Sequence, residues 1–212
     1  MTIRFVIETY DNQTECIVDH VPLDVVQVEE FFRMLNLDTV EPHEVVDLDA
    51  EDIRKINLYF SLKIESHLVQ TKLRQRAKYD DLPYQLHTNR ELALMLAGVK
   101  PLSTFSGTWP PSDVIEEIPE RLFDPHVLAG TFVKGECLES IGTSSTQNMR
   151  RVLYALKEEA WRINAHFLLW KTATKSGWNE GFERFEGSLL GYTDAQNDAY
   201  IEFIGVSNRA LP

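Results

Sequence analysis

Cysteine is scarce: the 212 residues hold two, Cys16 and Cys137, far apart and in no C-x-x-C. That excludes a zinc-ribbon ligand set and a disulfide framework. Long apolar runs are also missing, and no stretch approaches the ~20 residues of a membrane-spanning helix. Arg4, Glu8, Asp11, Glu15 and Asp19 interrupt the first twenty residues, so no signal-peptide core is expected. Bases number 21 against 33 acids, a net charge of −12. Phosphates would be repelled, which makes nucleic acid an unexpected partner and argues against an anionic membrane surface. Two motifs are absent as well. No G-x-x-x-x-G-K-[ST] accompanies the Ser/Thr-rich "GTSSTQN", so that stretch does not read as a phosphate loop. No E-x-x-H occurs, so Glu183 and Glu186 with His166 lack the pairing that bundle di-metal sites use. No metal and no cofactor is expected. These absences describe an acidic, reduced protein, expected in the cytoplasm.

The negative charge is unevenly spread. Residues 1–65 carry 15 acids and 5 bases, residues 66–110 carry 3 and 6, and residues 111–212 carry 15 and 10. Such a surplus either keeps the chain soluble or offers a docking face to a protein partner with a basic face.

Hydrophobic residues make up 43% of the chain and charged residues 25%, the proportions of a globular protein. Their pattern predicts an α+β fold. "TIRFVIETYDNQTECIVDHV" alternates about the turn "DNQT", with Ile3, Phe5 and Ile7 on one face, and reads as a β-hairpin. Asp24, with Gln27 three residues on, predicts the cap of a short helix striped by Val25, Val28, Phe32 and Leu35. Asp49 caps a helix predicted to run through residues 50–78. Ile53, Ile56, Phe60 and Ile64 form one stripe of it, and Leu58, Leu62, Val69 and Leu73 another. His67 continues the first stripe and reads as a core or interface histidine. Two stripes suggest a helix between layers or between partners, hence a homo-oligomer through helix 50–78. Lys72, Arg74, Arg76 and Lys78 then suit that helix's C-terminus or contact an anion.

Thr88 with Glu91 forms a capping box for a helix over 89–97, with Gly98 at its left-handed end and Pro101 beyond. "STFSGTWPPSDVIEEIP" reads as a long connection with a short strand at 102–105. A boundary here would give domains 1–100 and 101–212; without one the chain is a single domain. Val127–Ile141 and Met149–Leu156 read as strands of a small central antiparallel sheet. Three C-terminal helices follow. The first covers 157–176 and stops at Gly177. The second covers 179–190, with Phe182, Phe185, Leu189 and Leu190 inward and Glu180, Glu183 and Glu186 mostly outward. The last is capped by Thr193 and Gln196.

The first of these helices carries the candidate site. Leu156, Ile163, Phe167 and Trp170 line one side, Trp161 and Leu168 another, and Leu169 a third, so the helix should be mostly buried. Glu159, Arg162 and His166 form a narrow polar stripe. One reading is an i,i+3 ion pair beside a satisfied histidine. The other is a catalytic cleft, with His166 as general acid or base, Glu159 orienting it and Arg162 clamping an anion. Glu159 and His166 stand two turns apart, about 10 Å of rise, which weakens a direct dyad. Arg150, Arg151 and Lys100 are further anion-binding candidates. Cys137 with His126 is a conceivable nucleophile pair, although a buried structural cysteine is the plainer reading.

The function expected is non-catalytic protein–protein contact: an inhibitor, an immunity-like protein or a regulatory partner. The alternatives are a small enzyme acting on an anionic molecule through Glu159, Arg162 and His166, and a homodimeric scaffold.

Overall fold

A computed structural model describes residues 3–38, 44–64, 69–76, 78–111, 117–140 and 148–205. His67 and most of the "GTSSTQN" stretch lie outside the described residues. The fold is α+β, with a four-stranded and a three-stranded antiparallel sheet. The chain divides into two compact units, Met1–Asp81 with Gln85–Arg90, and Leu82–Tyr84 with Glu91–Pro212.

The first unit opens with the predicted hairpin, β1 (Ile3–Asp11) and β2 (Ile17–Val25). The Asp11 carboxylate makes the turn by accepting from the amides of Gln13 and Thr14, 3.1 and 2.8 Å away, as an Asx turn does. Helix α1 (Val28–Met34) follows, with Gln27 rather than Asp24 as its cap residue. Asp24 stays in the ladder opposite Arg4 and pairs with it at 3.5 Å, so strand pairing displaces the expected cap. Strand β3 (Val45–Leu48) leads into α2 (Ala50–Phe60), where Asp49 and Asp52 form a capping box.

The predicted helix 50–78 does not form. It ends at Phe60, and Ser61 turns left-handed with φ 55°. The Asn57 side chain then fastens the exit, donating to the Ile64 carbonyl and accepting from its amide, both at 2.9 Å. Val69–Gln75 becomes β4, inside the sheet order β2-β1-β4-β3. The reason is visible in the residues: Thr71 and Leu73 are buried and alternate with Lys72 and Arg74, a period of two rather than 3.6. The second stripe is therefore not one surface, since Leu58 is 80% exposed and Leu73 fully buried. The oligomer expected through that helix loses its premise. Lys72 and Arg74 sit on β4 and Arg76 just past its end, none of them at a helix end. The core of this unit joins Phe5, Ile7, Leu23, Val25 and Leu73 of the sheet to Phe31, Ile53 and Ile56 of the helices.

The second unit begins its regular structure at α3 (Glu91–Leu96), ended by Gly98 with φ 72°. Strand β5 (Leu102–Trp109) is twice the length expected, and α4 (Glu120–Leu128) was not anticipated; Pro125 within it reads as a breaker in sequence. Strands β6 (Phe132–Ser140) and β7 (Asn148–Leu156) complete the sheet in the order β5-β7-β6. Helices α5 (Trp161–Ser176), α6 (Glu180–Leu189) and α7 (Asp194–Ile204) close the chain.

Both faces of this sheet are covered. On one, Leu102, Leu153 and Ala155 pack with Ile163 and Leu169 of α5 and Leu189 of α6. Gly135 lets α5 approach, because a Cβ there would lie 2.5 Å from Ile163 Cγ2. On the other face, Phe123 of α4 meets Tyr154 and Phe105, with ring centroids 4.7 and 5.1 Å apart. Helix α5 is less buried than expected: Trp161 and Leu168 face solvent. In α6, Phe185 is exposed while Glu183 is buried, the reverse of their expected placement.

Candidate functional site

The polar stripe of α5 divides into two arrangements. Glu159 ends a short 3₁₀ turn, Lys157–Glu159, ahead of the helix. Its carboxylate accepts from Arg162 Nε at 2.7 Å. Arg162 Nη1 reaches on to the carbonyls of Ser188 and Leu189, at 2.9 and 3.3 Å. The guanidinium thus satisfies the end of α6, where carbonyls lack helical donors.

His166 belongs to a different group. It is fully buried, and its Nε2 lies 3.2 Å from Glu186 Oε1. The same oxygen accepts from Trp170 Nε1 at 3.1 Å. His166 and Trp170 stand one turn apart, so two ring N–H groups on one face of α5 share a carboxylate of α6. Glu186, expected outward, is the hub. The signal available in sequence was that pair of donors at i and i+4, which needs an acceptor when buried.

Lys100, between α3 and β5, is 3% exposed and lies 5.7 Å from the Tyr192 ring centroid. Burial pushes its pKa down to about 8, while the charges of Glu91 and Glu186 pull the other way. Lys100 and His166 therefore both answer to Glu186.

Neighbours on a strand face opposite ways, and Arg150 and Arg151 do so. Arg150, on the α4 side, makes a bidentate pair with Glu120 at 2.7 and 2.9 Å and reaches Glu136 as well. Lys134 joins Glu120 to Asp124 at 2.6 and 2.8 Å, and Asp124 accepts from the Tyr154 hydroxyl at 2.8 Å. Hydrogen bonding from Arg150, reinforced by Lys134, holds the Glu120 carboxyl down at about 2. Burial, with the bond to Asp124, raises the Tyr154 phenol. Arg150 is thus consumed by a closed network that docks α4 on the sheet. Arg151, on the α5 side, lies against Trp170, its guanidinium carbon 3.9 Å from the ring centroid.

The structure therefore gathers His166, Lys100 and Arg151 around Glu186 and Trp170. It places Glu159 and Arg162 in a separate pair and Arg150 on the opposite sheet face. Cys137 pairs with Arg151 across the ladder, whereas the His126 ring packs on Phe132, which faces the other way. The two are not neighbours. Among the described residues no group of three or more His, Cys, Asp or Glu is set to hold a metal, and no helix is long and apolar enough to cross a membrane.

A second polar cluster, in the first unit, takes in Arg74 and Arg76 of the expected anion-contacting patch together with acids the sequence did not single out. It occupies the sheet face turned away from Phe5 and Ile7. Arg74 pairs with Glu8 and with Asp80, both at 2.7 Å, and Tyr10 donates to Glu8 at 2.7 Å. Burial, with that bond, raises the Tyr10 phenol. His20 Nε2 stands 3.9 Å from Asp80. His20, Pro22, Arg76 and Asp80 line a shallow cavity of about 200 Å³. The available signal was Glu8, an acid set in the alternating run "RFVIETY".

No protein-family model, curated protein or solved structure matches the chain.

Proposed function

We propose that this chain is a binding protein that presents the acidic surface of residues 1–64 to a partner with a basic face. The observation that carries the reading is where the surplus charge lies. Asp19, Asp24, Glu29, Glu30, Asp38 and Asp47 are all exposed, spread from β2 through α1 to β3. A field of one sign over a surface steers an oppositely charged partner and speeds encounter. The polar side chains most suited to catalysis support the same reading from the other side. Glu159, Arg162 and Arg150 each hold an internal partner, and His166 is covered.

The test uses the full chain as bait beside a Glu30→Lys, Asp38→Lys variant. Proteins retained by the wild type are expected to be basic and to be lost by the variant. The association rate of a purified partner should fall steeply from low to physiological salt. Retention unchanged by charge reversal, or an association rate indifferent to salt, would reject the acidic docking surface.

A further inference from the structure

We infer that Arg151, stacked on Trp170 beside Ser106, Cys137 and Glu139, is a binding site for a small monocarboxylate with an apolar body. The inference goes beyond the docking surface and rests on side chains of the second unit alone.

Arg151 is 5% exposed. A buried guanidinium normally spends its donors on carboxylate or carbonyl oxygens. Among the described residues this one donates to no oxygen within hydrogen-bonding distance. Its Nε is buried and has no partner. Its Nη2 meets the Met149 sulfur at 3.9 Å and the Glu139 carboxylate at 3.7 Å. Arg162, by contrast, has two carbonyls and a carboxylate. Stacking on Trp170 fixes the guanidinium plane while leaving its donor edge unspent.

The surroundings fit one class of ligand. Across the ladder Arg151 stands between Ser106 on β5 and Cys137 on β6. One row deeper on the same face is Thr104, whose hydroxyl is also buried without a partner. Ser106 is exposed, and the Glu139 side chain is 43% exposed, so the site has an open side. The planar fork of an arginine matches a carboxylate by two parallel hydrogen bonds. Among the described residues Arg151 is the one cation in this row of the sheet, because Arg150 faces the other way and is already paired. A single positive charge next to Glu139, on a chain of net −12, favours a monoanion over a phosphate dianion. Trp170 and Met149 offer apolar surface to the body of the ligand. Glu139, near but not bonded, acts as a loosely held internal competitor that the ligand displaces.

Titration calorimetry on the full chain tests this with sodium benzoate as probe, and with acetate and inorganic phosphate at matched ionic strength. Benzoate should bind saturably, acetate more weakly, and phosphate not at all. Glu139→Gln removes the competing charge and should tighten benzoate by about threefold, or roughly 0.7 kcal/mol. Arg151→Lys keeps the charge but loses the fork, and should weaken it by about tenfold or more. Absence of saturable benzoate heat in both wild type and Glu139→Gln overturns the site. So does undiminished binding by a folded Arg151→Lys, or a preference for phosphate. If Arg151→Lys does not fold, Glu139→Gln, altered at a partly exposed position, decides alone: tightening supports the site, and unchanged or weaker binding rejects it.

Discussion

At the scale of single residues, burial without full compensation is the theme of the second unit. Lys100 shows it in a measurable way. Its pKa falls from 10.5 in the unfolded chain to about 8 in the folded one, so between those values the unfolded state holds more of the proton. Stability should therefore rise with pH across that window, and the penalty is fully present below pH 8. Lys100→Met is expected to be more stable than wild type at neutral pH and to lack this rise. Urea melts of both proteins between pH 7 and pH 10 would show it. Parallel profiles would mean that the ammonium is not held in a dry site. Glu186 makes the complementary case. Glu186→Ala strands the ring N–H groups of His166 and Trp170, at about 1–3 kcal/mol for each buried group left unsatisfied. Glu186→Gln keeps an accepting oxygen and should lose much less, so equal losses in the two variants would remove Glu186 from its place as hub. Arg162→Ala is expected to be milder, about 1 kcal/mol in its ion pair, because Glu159 is 34% exposed.

At the scale of elements, α4 is held to its sheet by charge as well as by Phe123. The Glu120 carboxyl titrates at about 2 instead of 4.5. Its stabilisation is complete above pH 4.5 and is lost as pH falls toward 2. Wild type should therefore lose stability over that interval more steeply than Glu120→Gln, as followed by circular dichroism in an acid titration. The elements differ in how plainly the sequence announced them. The hairpin and the caps at Asp49 and Thr193 are local, set by residues within three or four positions, and the structure has them where the pattern put them. Helix α2 was overrun because Ile64, Val69 and Leu73 happen to extend a helical spacing. The left-handed Ser61 and the Asn57 clasp that stop it leave no mark in a hydrophobic pattern. Helix α4 carries a proline, Pro125, and its last residues, Val127 and Leu128, fall in the stretch that reads as a strand. The candidate site was legible only in part. The Glu159–Arg162 pair follows from spacing along one helix, whereas the partners of His166 and Lys100 come from another helix, and register between helices is set by packing.

At the scale of the whole molecule, each unit has a core of its own. Leu73→Ala, at a fully buried position of the first core, should cost about 2–5 kcal/mol. All four tryptophans, Trp109, Trp161, Trp170 and Trp178, belong to the second unit. Indole emission therefore reports on that unit alone, while far-ultraviolet dichroism reports on both. If the units unfold independently, Leu73→Ala will shift the dichroism midpoint and leave the emission midpoint in place. A common shift would mean that they unfold together. The division also bears on synthesis, because the chain passes between the units three times within ten residues, at 81/82, 84/85 and 90/91. The Ile17 amide finds its acceptor, the Asn89 carbonyl, only there, and the Tyr84 hydroxyl must wait for Gln196. On the ribosome, then, the first unit remains unfinished until residue 90 has left the exit tunnel, and Tyr84 emerges more than a hundred residues ahead of its partner. A nascent chain of this protein has no point at which one unit is complete before the next has begun, so any chaperone that attends it meets a first sheet whose four strands are all made but whose unit still lacks residues 85–90.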